Sequence, residues 1–207
     1  KANASKRRRT GEPAPSISGL TFNSEGIFEI LSYLMYGNST APLDLKELKD
    51  ADFICLDRKR MEMTTEPLDR AILWYLVKTS FKTPNIYDKK FLNWLIMLQQ
   101  NDVKVSASTG NYHFNMNSAP VRSGEGGTYL LDNINNARKL LALVKKLGQD
   151  LTTFICGGDD GAIRLTTDYD KFLVEVEVFR NKYGCIWTDL EKRRVCIIHE
   201  KYLPDFL

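Results

Sequence analysis

Histidine is nearly absent from this 207-residue chain, with two in all, and its four cysteines (Cys55, Cys156, Cys185, Cys196) stand singly in apolar stretches with no C-x-x-C pair. That removes the ligand spacing of a structural zinc site and leaves no disulfide framework. The thiols are expected as buried, reduced small hydrophobes in a cytosolic setting. No apolar run approaches the roughly 20 residues that cross a bilayer, and no charged, apolar and small-residue succession marks a secretory signal. The chain is therefore expected to be neither secreted nor membrane-spanning. Nor is there a large excess of one charge: 29 Lys and Arg face 26 Asp and Glu, for a net +3. The charge is uneven, however, because Lys1, Lys6, Arg7, Arg8 and Arg9 crowd the first residues. Such a cluster is a solvated tail, a localisation signal or a contact for a polyanion.

What is present is the makings of one folded domain, with 43% hydrophobic and 27% charged residues. After a Pro-, Ser- and Gly-rich lead-in, residues 25–36 space apolar side chains at helical intervals, and a second short helix is expected from Leu43. "DFICLD", residues 52–57, reads as a buried strand ending in a carboxylate. Two helices follow, one from Glu66 with a Pro near its start and one over "YDKKFLNWLIMLQQ". Their aromatic residues Trp74, Tyr75, Phe91 and Trp94 are expected in the core. A hairpin around Thr109-Gly110-Asn111 precedes a Gly-rich loop at 123–127, a long helix ending near Gly148, and two strands flanking "GGDDG". A helix capped by Thr167 or Asp168 and stopped by Gly184 comes next, and "CIWT" and "RRVCIIHEKYL" close the chain as strands. Helices mixed with a mainly antiparallel sheet make the class α+β.

The carboxylates carry the chemistry. Asp57 ends one strand, and Asp159 and Asp160 occupy the turn between two others. Acid groups held together there repel one another unless a cation lies between them. Hard oxygen donors favour Mg²⁺ or Mn²⁺, and two such ions about 3.5–4 Å apart serve phosphoryl transfer. Taken alone, G-D-D is also an ordinary turn composition, and His113 and His199 lack any metal-spaced companion.

The order of these features resembles the palm of viral RNA-dependent RNA polymerases: an Asp-bearing strand, an S-G-x-x-x-T loop and helix formed by Ser123, Gly124 and Thr128, then Gly158-Asp159-Asp160. The resemblance implies that Asp57, Asp159 and Asp160 bind two Mg²⁺ or Mn²⁺ ions. It implies further that Lys192, in "KYGCIWTDLEK", protonates the pyrophosphate leaving group and that Arg7, Arg8 and Arg9 hold the incoming triphosphate. "SGE" and "DRKRMEMTTEPLDRAI" look most like polymerases of double-stranded-RNA viruses of the reovirus kind, on the orbivirus side. On that reading residues 1–50 are partial fingers and lead-in, 51–194 the palm, and 195–207 a hairpin strand toward the thumb. The implied partners are template and nascent RNA, ribonucleoside triphosphates, inner-capsid proteins and the rest of a longer polymerase chain, in a virion core or the host cytoplasm.

Two positions depart from the family pattern. Glu62 stands where an Asp is usual, five residues after Asp57, and Asp132 stands where an Asn usually joins it in reading the ribose 2′-OH, with Asn133 next. Two carboxylates cannot hydrogen-bond each other unless one is protonated. Either Asn133 supplies the donor or the ribose contact differs. The competing readings are another palm polymerase, such as a reverse transcriptase, and an inactive RNA-binding or capsid-interaction module.

Overall fold

The computed structural model describes residues 24–80, 88–91, 93, 103–114, 127–188 and 190. Helix α1 (Ser24–Tyr36) and short α2 (Leu45–Asp50) lead into strand β1 (Asp52–Lys59). A 3₁₀ turn (Met61–Thr64) connects β1 to α3 (Pro67–Ser80). A hairpin of β2 (Val103–Ala107) and β3 (Gly110–Phe114) precedes the 20-residue α4 (Thr128–Leu147). Then come β4 (Phe154–Gly157), β5 (Asp160–Leu165), α5 (Tyr169–Tyr183) and β6 (Ile186–Thr188). The expected α+β class holds: β4-β5-β1-β6 form a four-stranded sheet in which every neighbouring pair is antiparallel.

Strand alternation sorts the sheet's side chains between two cores. Ile54, Leu56, Phe154, Cys156, Ile163 and Leu165 pack on one face against Leu140, Leu143, Val144 and Leu147 of α4 and Phe172, Val176 and Phe179 of α5. Phe53 and Ile155 point the other way, into a smaller cluster with Leu31, Tyr33, Leu34 and Met35 of α1 and Leu48 of α2. Both faces are covered, so β1 and β4 read as near-continuous apolar runs.

The helix ends fall where local chemistry puts them. Asp44 and Asp168 cap α2 and α5 by accepting from main-chain N–H groups at 2.7 Å, and α4 and α5 stop at Gly148 and Gly184. Three boundaries differ from the sequence reading. β1 continues two residues past Asp57, because Asp57, Arg58 and Lys59 also pair with β6. Asp160 is the first residue of β5, leaving Gly158 and Asp159 as the turn. The β2–β3 hairpin turns at Ser108 and Thr109, with Gly110 already in the strand. Two aromatic residues expected in the core are not there: Tyr75 is 67% and Phe91 59% exposed. In α3 the inward residues are Asp69, Arg70 and Leu73, and Tyr75 lies about 200° around the helix from Leu73.

Cys156 and Cys185 are buried free thiols and Cys55 is half-buried; burial pushes the Cys156 thiol up to about 12. Cys196 lies outside the described residues. No described helix is long and apolar enough to cross a membrane.

Leu140 is fully buried between α4 and the sheet. Leu140→Ala is expected to destabilise the chain by about 2–5 kcal/mol through lost transfer energy and a residual cavity, measured by denaturant unfolding.

Candidate active site

The β1–β5 register places Asp57 directly opposite Asp160. Residues of one parity on β1, Phe53, Cys55 and Asp57, share the α1 face of the sheet, and the cross-strand pairing puts Asp160 on that same face. Opposed side chains in an antiparallel pair stand about 4.5–5.5 Å apart at Cβ, and like charges there are unfavourable. Asp159 adds a third carboxylate from the adjoining turn. The carboxyl of Asp160 is accordingly held above the usual aspartate range, first by partial desolvation at the strand end although the residue is exposed overall, then by Asp159 and Asp57.

Asp57 has local partners. Lys59, next but one along the same strand, sets Nζ 2.6 Å from Asp57 Oδ2, and Thr188 of β6 donates to the same oxygen at 3.2 Å. The Lys59 side chain is 56% exposed, and an exposed ion pair contributes at most about 1 kcal/mol. Among the described residues no three His, Cys, Asp or Glu side chains already converge at coordination distance. The donor set nevertheless suits a hard divalent ion: three carboxylates from β1, the turn and β5, one of them made reluctant to ionise by partial desolvation and by the others.

The turn owes its shape to Gly158, whose φ of +71° lies in the left-handed region. A Cβ there would also meet the Tyr129 ring at 3.4 Å. One residue on, the Asp159 carbonyl accepts from Arg58 N at 3.2 Å, tying the turn to the residue beside Asp57.

Arg58 itself points to the opposite face and is 2% exposed. Its guanidinium donates to Asn135 Oδ1, to Thr64 Oγ1 at 2.8 Å and to Cys185 Sγ at 3.3 Å. Burial pulls its pKa down, opposed by the charges of Cys185 and Asp69. Asn135 passes the network on, donating to Asp69 Oδ2 at 2.6 Å. Asp69, fully buried, accepts from Arg138 Nε at 2.7 Å, and Arg138 and Lys139 both bond Glu66. Burial works to raise the Glu66 carboxyl, and those bonds outweigh it and hold it low. This cluster locks the 3₁₀ turn and the start of α3 onto α4. Arg60, the residue between β1 and that turn, is left-handed at φ 52°, a conformation costing a non-glycine residue about 1–2 kcal/mol.

The remaining expected site residues fall as follows. Glu62 lies in the 3₁₀ turn after Asp57, by its backbone. Thr128 opens α4, with Gly127 before it. Asp132 is half-buried, one turn further on. Asn133 is buried, and its Nδ2 donates to the Tyr129 carbonyl at 2.7 Å, within its own helix. Ser123, Gly124, Lys192 and Arg7, Arg8 and Arg9 lie outside the described residues. Sequence reasoning missed Asn136: its Nδ2 lies 3.0 Å from the Gly158 carbonyl and 3.1 Å from those of Asp159 and Asp160. The signal was there, since Asn136 shares the helical stripe of Leu140, Leu143 and Leu147, where an amide is out of place. A cleft of about 520 Å³ lined by Met35, Glu47, Asp50, Asp52 and Arg164 opens at the far end of β1, five residues from Asp57, and is separate from this site.

Because the Asp160 carboxyl is raised, the folded chain holds that proton to higher pH than the unfolded chain. The stabilising contribution is full below the ordinary aspartate value and is lost as pH rises through the raised one. Asp160→Asn is therefore expected to raise the melting temperature of the metal-free chain at neutral pH and to change it little near about pH 3, where both side chains are uncharged. Melts in chelator across that range check this.

No known family profile and no curated protein matches the chain. Solved structures do. The RNA-dependent RNA polymerase of a human picobirnavirus superposes with a TM-score of 0.55 at 14% identity, over 92% of this chain and 32% of that one. The insertion-loop deletion mutant of a human picobirnavirus RNA-dependent RNA polymerase gives 0.53 at 13%, over 83% and 31%. This chain thus spans about a third of their length. The likeness agrees with the viral RNA polymerase resemblance and does not single out the reovirus or orbivirus branch. The chain shares the α+β fold of part of these viral RNA-dependent RNA polymerases.

Proposed function

We propose that this chain is the catalytic palm of a viral RNA-dependent RNA polymerase, joining ribonucleotides on an RNA template. The observation that carries the reading is the cross-strand opposition of Asp57 and Asp160, with Asp159 in the turn between β4 and β5. Asp57, Asp159 and Asp160 would hold two Mg²⁺ or Mn²⁺ ions. Such ions, when bound, lower the pKa of an attacking hydroxyl and neutralise charge on a triphosphate.

The chain's own residues supply position. β1, the turn and β5 present the acids from a sheet braced on both faces, which would hold their main chain in place for the reaction. Thr128, at the start of α4, together with Ser123 and Gly124, lines the nucleotide and template path. Lys192 gives a proton to the departing pyrophosphate, and Arg7, Arg8 and Arg9 steady the triphosphate. Base pairing with the template selects the nucleotide, so RNA is held through its backbone in a salt-sensitive way.

Ribose reading falls to Glu62 and Asp132. Asn133, whose amide gives one of its two hydrogens to the Tyr129 carbonyl, is the other candidate donor to the sugar. The reovirus-like subdivision rests on "SGE" and "DRKRMEMTTEPLDRAI" alone. Inner-capsid proteins and the rest of a longer polymerase chain are the partners this reading calls for, and a virion core or host cytoplasm is its place of action.

The test is incorporation of labelled ribonucleotide on template RNA with Mg²⁺ or Mn²⁺. Asp159 is exposed, so Asp159→Asn removes a metal ligand without opening the core. It is expected to abolish incorporation and leave the melting temperature nearly unchanged. Undiminished incorporation, or loss of the fold, would contradict the assignment.

A further inference from the structure

We propose that Asn136 is a positioning residue that sets the acidic turn, and with it the relative placement of Asp57, Asp159 and Asp160; this rests on the two-metal reading above. Asn136 is 1% exposed and lies on α4 beneath the sheet. Its Nδ2 faces three consecutive carbonyl oxygens, those of Gly158, Asp159 and Asp160, at 3.0, 3.1 and 3.1 Å. An amide nitrogen has two hydrogens, so three acceptors must share them. The side-chain orientation is unambiguous all the same, because the reversed amide would set Oδ1 against three carbonyls. That Oδ1 has no partner among the described residues. A buried acceptor left unpaired costs stability, and the amide accepts that cost while gripping the turn.

Why the grip reaches the carboxylates follows from the neighbouring contacts. The Asp159 carbonyl accepts from Asn136 on α4 and from Arg58 N on β1, so one oxygen joins three elements. Next along β5, Gly161 lies against the same helix, where a Cβ would come within 3.0 Å of Leu140 Cδ1. The clamp engages main-chain carbonyls only. It fixes where the two carboxylates start from without competing for their oxygens, and it links the turn to the helix that begins at Thr128. Asn135, the adjacent buried amide, serves the Arg58–Asp69 network instead, and so provides a matched control of equal burial.

The experiment compares Asn136→Ala with Asn135→Ala in the full chain by two readouts. The first, needing no metal, is amide hydrogen exchange over residues 157–161. Asn136→Ala is expected to speed exchange there roughly tenfold or more while the β1–β6 pairing keeps its protection, and Asn135→Ala is expected to leave the turn unchanged. The second is Mn²⁺ affinity by calorimetry, expected to fall about 10- to 100-fold in Asn136→Ala, as when the partner that orients a metal ligand is lost, and to hold in Asn135→Ala. Should Asn136→Ala fail to fold, Asn136→Ser, which keeps one donor, is measured in its place. Unchanged exchange at the turn, or equal effects of the two variants, overturns the clamp. Absence of saturable Mn²⁺ binding in the unsubstituted chain contradicts the two-metal reading instead, and the exchange comparison still decides whether Asn136 holds the turn.

Discussion

The antiparallel pairing of β1 with β5 holds like charges against each other. In that register Asp57 faces Asp160, an arrangement that by itself works against the fold; the Asp160 carboxyl is raised first by partial desolvation and then by Asp159 and Asp57. It persists because the rest of the sheet fixes it. Ile54, Leu56, Ile163 and Leu165 are buried under α4 and α5 and leave no freedom to slip, since a one-residue shift would turn every one of them to the other face. This repulsive pair, imposed by a well-packed scaffold, is the observation on which the proposed cation site rests.

The same alternation gives β1 two chemistries at adjacent positions. Asp57 emerges on the α1 face, and Arg58 is driven inward beneath α4. A buried guanidinium is costly unless its donors are met; Asn135, Thr64 and Cys185 meet its two terminal nitrogens, while its Nε has no partner among the described residues. The network continues through Asp69 to Arg138 and Glu66, from β1 across α4 to the start of α3. Buried ion pairs add little net stability, and breaking one leaves a charge stranded. The gain here is placement: the 3₁₀ turn carrying Glu62 is fastened to the helix carrying Asp132.

Much of this was legible in the sequence where local physics decides. The apolar run before Asp57, the caps at Asp168 and Gly184, the stop at Gly148 and the glycine-bound acidic turn each follow from a short stretch of residues, and each lies where expected to within two positions. What local pattern could not give was partnership. β1 runs beyond Asp57 because β6, about 130 residues later, pairs with it. Tyr75 lies on a helix whose inward face, Asp69, Arg70 and Leu73, is set by distant neighbours, and hydrophobicity alone misplaced both it and the exposed Phe91. The three asparagines of "NINNA" look alike in sequence, yet Asn133 bonds its own helix, Asn135 the Arg58 network and Asn136 the acidic turn. Composition cannot separate such roles, which depend on what α4 crosses.

Divalent-ion binding at the acidic turn tests the central claim most directly. Calorimetric titration with Mn²⁺, with and without a ribonucleoside triphosphate, would compare the chain with its Asp159→Asn, Asp160→Asn double variant. Saturable binding that tightens with nucleotide and disappears in the variant is the predicted result. Equal, weak binding by both proteins would mean that the three carboxylates form no metal site and that the turn serves the fold alone.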